Sequence, residues 1–200
     1  MIKTLIFDLG KVIVPFELDN QMKILEAVCD FKHAEIRAKV FALEELALFE
    51  TGMISAADLF EVLKKTLSLL MNFAEFVAAW NSIFSLDPIV SESFIERLSR
   101  KYRLLILSDT NELHFEFIGR NFPILRFFDD FVLSYKVGFV KPSPEIYRAA
   151  VEKAGCAAGE CFFTDDKAAN IAGAIKFGIN AVQFVSAKQL EREIKLQNLL

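Results

Sequence analysis

The chain has 200 residues, of which 54% are hydrophobic and 25% are charged, and its formal net charge is −4. This length favours one domain, or one domain with a small insert, and is sufficient to bury a sizeable core. A slightly negative chain without runs of Lys or Arg is not typical of proteins that bind nucleic acid or anionic membranes.

The three cysteines, Cys29, Cys156 and Cys161, have neither metal-site spacing nor the pattern of a disulfide framework. We expect them to be reduced thiols. The N-terminus lacks the apolar stretch of a signal peptide, and no segment is apolar for the ~20 residues that a membrane span requires. These features predict a cytoplasmic protein.

The first apolar run, Thr4 to Phe7, is followed directly by Asp8. It predicts a buried strand whose C-terminal end places a carboxylate in a loop. From about Leu18 to Leu86, apolar residues recur at helical spacing, which predicts about four helices and no strand. We therefore expect residues 17–86 to form an all-helical insert, with residues 1–16 and 87–200 forming the rest of the fold.

From Ser91 onward, helical and strand patterns alternate. The predicted strands are Arg103–Leu107, Asp130–Ser134, Cys161–Thr164 and Ala181–Val185. Strands that alternate with helices in this way indicate an α/β fold, in which helices cover both faces of a parallel sheet.

Polar residues follow three of the predicted strands, and a lysine opens a helix between the last two. They are Asp8, Ser108, Asp109, Asp165 and Asp166, with Lys141 as the lysine. Because the C-terminal ends of parallel strands lie at one edge of a sheet, we expect these side chains to converge. Several carboxylates with a lysine and a hydroxyl are suited to binding Mg²⁺ and phosphate, and oxygen ligands favour Mg²⁺ over zinc.

Each residue alone has a simpler interpretation. A strand-end aspartate before glycine is usually a turn residue, Ser108 and Asp109 resemble a helix cap, and Lys141 resembles a surface lysine. Asp165 and Asp166 are also compatible with a helix cap. Their combination in this order is far more specific, and it predicts that Asp8 is a nucleophile that accepts a phosphoryl group.

Four segments carry a resemblance to a known family. They are Ile6–Val14, Leu107–Asn111, Val137–Tyr147 and Phe162–Ile171. Together they resemble the motifs of the haloacid dehalogenase-like hydrolases, in the order that this family shows. The resemblance implies a Rossmann-like catalytic core, with residues 17–86 in the position of the family's helical C1 cap.

The resemblance also implies a magnesium site. Asp8 would be both the nucleophile and a metal ligand, and the backbone carbonyl of Gly10 would be a second ligand. Asp166 would be the acidic metal ligand, with Asp165 beside it as a further ligand.

The remaining motif residues would bind phosphate or support the site. Ser108 and the backbone N–H of Asp109 would hold the phosphate, and Lys141 would bridge Asp8 and the phosphoryl group. Asn170 matches a position that orients the loop of the fourth motif.

The chain departs from the family pattern at Gly10. Phosphatases of this family usually carry a second aspartate there, which protonates the leaving group and then activates water. Loss of such a group typically costs ~10²–10⁴-fold in rate. The segments around Asp8, Ser108 and Lys141 resemble the sugar-phosphatase branch typified by α-D-glucose-1-phosphate phosphatase, which also has glycine at this position.

The leading hypothesis is a Mg²⁺-dependent phosphatase that hydrolyses a small phosphomonoester, such as a sugar phosphate, through an aspartyl-phosphate on Asp8. One alternative is a non-catalytic or very slow phospho-ligand-binding protein, because Gly10 lacks the acid–base side chain. A phosphotransferase or mutase is a minor alternative, and a metal-independent haloacid dehalogenase is less favoured. The expected partner is a small phosphorylated metabolite rather than nucleic acid or membrane, and the chain is expected to be a monomer or weak homodimer.

Several further residues are candidates for the cleft between insert and core. They are Phe16, Glu17, Phe49 and Glu50. His114 is interpreted first as a residue on a helix face and second as a substrate contact, and Trp80 as part of the core of the insert.

Overall fold

A five-stranded parallel sheet forms the centre of the fold, and the computed structural model describes all residues from 1 to 200. The strands are β1 (Thr4–Phe7), β2 (Arg103–Ser108), β3 (Asp130–Leu133), β4 (Cys161–Asp165) and β5 (Asn180–Gln183). They lie in the order β3-β2-β1-β4-β5, and every neighbouring pair is parallel. The predicted α/β fold with a Rossmann-like parallel sheet is therefore confirmed, and the first strand lies at its centre.

Helices cover both faces of this sheet. They are α6 (Glu92–Ser99), α7 (Glu112–Asn121), α8 (Ser134–Val137), α9 (Pro144–Ala154), α10 (Ala168–Phe177) and α11 (Ala187–Leu196), with short 3₁₀ helices at Pro123–Phe127 and Ala158–Glu160. Successive residues of a strand face opposite sides of a sheet. Leu5 and Phe7 of the first strand accordingly pack with Phe94 of α6, whereas Ile6 packs in a second apolar cluster with Tyr147 of α9.

A group of five helices lies between β1 and α6 in the chain. The helices are α1 (Asp19–Glu26), α2 (His33–Phe41), α3 (Glu44–Glu50), α4 (Ala56–Leu67) and α5 (Phe73–Asn81). Their apolar sides form a separate cluster of 15 buried residues that includes Leu59, Phe76 and Trp80. No helix of the chain, here or around the sheet, has the length and apolar character needed to cross a membrane.

The expectation of about four helices was wrong by one. The apolar series from Ile36 to Leu46 suggested a single helix, but the chain leaves helical geometry at Leu43, where φ is −76° and ψ is 125°. α2 ends before this residue and α3 begins after it. The spacing continues across the break because Leu43 and Leu46 both pack against the same apolar cluster as Ile36.

The bounds of four strands also differ from the prediction, and β2 and β4 each end one residue later than expected, at Ser108 and Asp165. β5 covers Asn180–Gln183 rather than Ala181–Val185, because its register pairs Asn180 with Phe162 and Gln183 with Asp165, the last residue of β4. The N–H of Phe184 makes one more hydrogen bond, to the carbonyl oxygen of Asp165 at 2.9 Å, and Val185 is exposed. β3 ends at Leu133, because Ser134 begins the short helix α8.

Several helix ends follow capping signals that are visible in the sequence. The Ser55 hydroxyl accepts the N–H of Asp58, and the Asp58 carboxylate accepts the N–H of Ser55. Two N–H groups at the start of α4 therefore have a hydrogen-bond partner. Pro144 occupies the first turn of α9, where N–H groups have no partner within the helix, so the absence of an N–H costs no hydrogen bond. Gly178 ends α10 in the left-handed conformation, with φ of +101°, as expected for a residue without a Cβ.

Candidate active site

Three strand ends bring polar side chains to one edge of the sheet. Asp8 follows β1, and its N–H donates to the carbonyl oxygen of Thr164 in β4 at 2.9 Å. Ser108 ends β2 and Asp165 ends β4. Because β1 lies between β2 and β4, these residues are neighbours in space, as the strand-end pattern predicts.

Lys141 lies at the centre of this group, and its side chain is only 1% exposed. Its ammonium group donates to Asp8 Oδ1 at 2.6 Å, to Asp165 Oδ2 at 2.7 Å and to the carbonyl oxygen of Leu107 at 3.0 Å. A lysine has three N–H donors, so all of them have a partner here. Lys141 therefore bridges two carboxylates from different strands.

Asp109 holds the backbone of Lys141 in place. Asp109 Oδ1 accepts the N–H of Lys141 at 2.8 Å. The carboxylate of Asp109 thus joins the loop after β2 to the loop before α9, a contact that the sequence did not indicate. Its own N–H makes no hydrogen bond within the chain and is free to donate to a ligand.

Asp165 and Asp166 have different surroundings. Asp165 is fully buried, and its carboxylate accepts hydrogen bonds from Lys141, from the N–H of Lys167 at 2.8 Å and from Asn170 Nδ2 at 2.9 and 3.0 Å. The side chain of Asp166 is partly exposed and accepts no hydrogen bond. Asp165 is therefore occupied by the protein, whereas Asp166 is available for a ligand.

Carboxylate oxygens of Asp8, Asp165 and Asp166 all lie within 4.8 Å of one another. The carbonyl oxygen of Gly10 accepts no hydrogen bond. Buried or partly buried oxygen atoms that accept few hydrogen bonds from the protein are suitable ligands for a hard cation such as Mg²⁺. This ion usually binds one or two carboxylates and keeps several waters. The donor set therefore fits this ion, with Asp8 and Asp166 as the less occupied carboxylates.

The charged side chains of this group change one another's pKa. Burial raises the pKa of Asp8, and the neighbouring Asp165 raises it further, while Lys141 lowers it. Burial lowers the pKa of Lys141, but Asp8 and Asp165 outweigh this effect, so its pKa lies above the ordinary lysine value. The lysine therefore stays charged, and its charge stabilises the ionised form of Asp8.

A cavity of about 440 Å³ opens beside this group, and most of its lining residues are hydrophobic. Ser108, Asp109 and Lys141 line it on the sheet side, and Gln21 and Trp80 line it from the helical insert. Apolar walls with a few polar groups are typical of small-molecule sites.

His114 lies in the wall of this cavity and joins α7 to the insert. Its Nε2 lies 3.1 Å from the carbonyl oxygen of Trp80, and its Nδ1 lies 3.1 Å from Asn111 Nδ2. The amide donates to Nδ1 and Nε2–H donates to the carbonyl, which defines a neutral ring. Burial lowers the pKa of His114 to about 4. Because both nitrogens have protein partners, the packing interpretation is favoured over a hydrogen bond to substrate.

Phe16 occupies the space beside Gly10. A Cβ added to Gly10 would lie 2.9 Å from Cε1 of the Phe16 ring, closer than ordinary contacts allow. Of the other cleft candidates, Glu50 lines the cavity, Glu17 does not, and Phe49 is buried in the core of the insert.

The cavity residues that were not predicted from the sequence include the polar residues Gln21 and Lys167. Gln21 is 4% exposed, yet its side chain makes no hydrogen bond within the chain. Lys167 lines the cavity next to Asp166. Its position within the fourth motif could have indicated Lys167. Gln21 lies on a helix whose orientation toward the sheet cannot be inferred from periodicity.

Comparison with known proteins identifies a family and related sequences. A sequence model of the haloacid dehalogenase-like hydrolase family matches residues 2–178. D-ribitol-5-phosphate phosphatase of Bacteroides thetaiotaomicron is 27% identical over 180 residues, which cover 86% of each chain.

Solved structures show the same fold. A haloacid dehalogenase family enzyme from B. thetaiotaomicron, crystallised with magnesium and inorganic phosphate, is 26% identical with a TM-score of 0.82, covering 93% of this chain and 96% of its own. A HAD-like family hydrolase from Porphyromonas gingivalis has a TM-score of 0.82 at 22% identity, covering 98% of each chain, which is a likeness in fold alone. The strand-end carboxylates, the buried lysine and the family match over most of the chain lead to one conclusion: this protein is a hydrolase of the haloacid dehalogenase-like family.

Proposed function

We propose that this enzyme is a Mg²⁺-dependent phosphatase that hydrolyses a small phosphomonoester. The observation that carries the proposal is the group of three carboxylates, Asp8, Asp165 and Asp166, next to a cavity that Lys141 lines. The buried ammonium of Lys141 binds the first two of these carboxylates. The magnesium and inorganic phosphate bound by the related B. thetaiotaomicron enzyme support it.

Asp8, Asp166 and the carbonyl of Gly10 would hold the ion, and Asp165 would support them from its hydrogen-bonded position. When bound, Mg²⁺ would offset the negative charge of the phosphoryl group. We assign phosphate binding to the Ser108 hydroxyl and to the free N–H of Asp109.

Asp8 is the proposed nucleophile. One of its oxygens attacks phosphorus, the P–O bond to the alcohol breaks, and an aspartyl-phosphate forms. A water oxygen then attacks phosphorus and restores Asp8. The charge of Lys141 favours the ionised form of Asp8, and its hydrogen bond directs that carboxylate. Since the three donors of Lys141 are used within the protein, we expect it to act on the phosphoryl group mainly through charge.

We propose that residues 17–86 act as a cap over a core of residues 1–16 and 87–200. The separate apolar cluster of the insert supports this division, because each part has its own core. A cap that closes over the cavity would exclude bulk water during phosphoryl transfer.

The proposed substrate is a sugar or polyol phosphate. The relative named for D-ribitol 5-phosphate supports this class. The cavity has room for a small molecule, and the Gln21 amide offers donors and an acceptor that the protein does not use. Hydroxyl groups of a polyol would be suitable partners for this amide.

A phosphate-release assay with Mg²⁺ and a panel of phosphomonoesters tests the proposal. We expect wild type to release phosphate and Asp8→Asn to lose activity by several orders of magnitude. Asp87→Asn, the same chemical change at an exposed residue outside the cavity, should retain wild-type activity.

The second candidate is a phosphate-ester binder without turnover, which the absence of a side chain at Gly10 favours. Tight binding of a phosphomonoester by calorimetry, without phosphate release by any panel member, would support that candidate and contradict the phosphatase.

A further inference from the structure

Hydrolysis of an alkyl phosphate needs a proton donor. The leaving oxygen departs as an alcohol only if it gains a proton, and a positioned acid contributes ~10²–10⁴-fold to such a step. Gly10, two residues after Asp8, has no side chain, and the ring of Phe16 occupies the adjoining space. The other groups that line the cavity are therefore candidate proton donors.

Five titratable side chains line the cavity: Glu50, Asp109, His114, Lys141 and Lys167. Three of them are already engaged. Lys141 uses all its donors, His114 uses both ring nitrogens, and Asp109 accepts the N–H of Lys141. The Glu50 carboxyl makes no hydrogen bond or ion pair within the chain. Lys167 is a cation, which suits it to balancing phosphate charge.

The backbone of Glu50 is held against the phosphate-binding loop, although the residue belongs to the insert. The buried hydroxyl of Ser134 lies 2.7 Å from the carbonyl oxygen of Glu50 and 2.8 Å from that of Thr110, so its one proton is shared between these two acceptors. The same hydroxyl accepts the N–H of Thr110 at 2.9 Å. Two residues later, Gly52 packs so closely that an added Cβ would lie 2.0 Å from the carbonyl oxygen of Tyr135. One hydroxyl thus joins Glu50 to the loop that follows Ser108.

The surroundings of Glu50 favour its protonated form. Burial raises the pKa of Glu50, and the negative charge of Asp109 raises it further, while Lys167 lowers it. Burial also raises the pKa of Asp109. A carboxyl that retains a proton closer to neutral pH is a better donor to a leaving alcohol.

We propose that Glu50 supplies the proton that the leaving group needs, an inference that rests on the proposed phosphatase function. In the first step, Asp8 forms a bond to phosphorus, the P–O bond to the alcohol breaks, and the Glu50 proton moves to the leaving oxygen. In the second step, the Glu50 carboxylate takes a proton from water, the water oxygen bonds to phosphorus, and the bond between phosphorus and Asp8 breaks. Glu50 ends protonated, Asp8 ends free, and the net reaction consumes one water.

Two substrates with different leaving groups test this proposal. Nitrophenolate is a stable anion and leaves without a proton, whereas the oxygen of an alkyl phosphate must be protonated before the alcohol leaves. We expect Glu50→Gln to lower kcat/KM by ~10²–10⁴-fold for the alkyl phosphate that wild type hydrolyses fastest. For p-nitrophenyl phosphate, kcat/KM should fall by less than about tenfold, and retained activity on this substrate also shows that the variant is folded.

Matched variants complete the experiment. Glu44→Gln makes the same change at an exposed position of α3 and should behave as wild type. Glu50→Asp keeps the acid and should retain more alkyl phosphatase activity than Glu50→Gln. Three outcomes would overturn the proposal for Glu50. Glu50→Gln could lose equal activity on both substrates, or it could leave the rate on alkyl phosphate unchanged. Alternatively, Lys167→Met alone could show a loss that is selective for alkyl phosphate. Failure of wild type to hydrolyse either substrate would instead overturn the phosphatase function itself, and the role of Glu50 with it.

Discussion

The ring of Phe16 occupies the space that a side chain at position 10 would need, so the packing of the site depends on glycine there. An added Cβ at Gly10 would lie 2.9 Å from Cε1 of Phe16, about 0.5 Å closer than an ordinary contact. The ring cannot move freely, because it packs edge-on against Phe84 at 6.5 Å and carries the Lys11 ammonium 5.1 Å from its centre. Overpacking of this kind costs about 1–3 kcal/mol. We therefore expect Gly10→Asp to lower the free energy of unfolding by about that amount and to decrease phosphatase activity rather than increase it.

A double-mutant cycle isolates the contact. Phe16→Ala removes the ring at its own cost, and in that background Gly10→Asp should cost less than about 0.5 kcal/mol, since nothing then opposes the new side chain. Urea unfolding should be measured for wild type, both single variants and the double variant. We expect a coupling free energy between the two positions of about 1 kcal/mol or more. Gly159→Asp, where an added Cβ meets nothing within 4 Å, controls for the new charge and for the loss of a glycine. Additive effects of the two substitutions would refute the steric explanation.

Three further predictions concern buried polar groups around the cavity. Because the pKa of His114 is about 4 in the folded chain and higher when unfolded, the unfolded state gains a proton first as pH falls, and wild type should lose up to about 3 kcal/mol between pH 6.5 and pH 4. His114→Gln should lack this part of the loss in pH-dependent urea unfolding, and identical pH profiles would contradict the assignment. Lys141→Met leaves two carboxylates without their shared cation, so unfolding in EDTA at pH 7 should show a loss of about 3–5 kcal/mol, and a change below about 1 kcal/mol would be inconsistent with a buried ion pair. Gln21→Leu removes an amide that makes no hydrogen bond within the chain, so stability should change by less than about 1 kcal/mol, whereas KM for a polyol phosphate should increase about tenfold at similar kcat. An unchanged KM would remove Gln21 from the substrate site.

The order of strands and helices along the chain could be predicted from the sequence alone. Apolar runs of strand length alternate with helical spacing, and that alternation permits little except a parallel sheet covered on both faces. The polar residues at the ends of β1, β2 and β4 could be predicted for the same reason, because Asp8, Ser108 and Asp165 each follow an apolar run that must be buried. Their meeting at one edge is a consequence of parallel pairing and requires no knowledge of side-chain positions.

Other features depend on how distant segments pack. The break at Leu43 was missed because the apolar spacing continues through it, and the bounds of β5 depend on where β4 ends rather than on its own residues. The sequence does not show that Asp165 is saturated with hydrogen bonds while Asp166 is free, since the two differ only in the direction of their side chains.

The same is true of the cavity. Gln21 and Glu50 face it because of the way the helical insert packs on the sheet, and local periodicity contains no information about that orientation. Gly10 was recognisable from the sequence as a missing acid. Only the tertiary structure shows that Phe16, six residues later, fills its place, because the chain between them folds back on itself and brings the ring against the glycine.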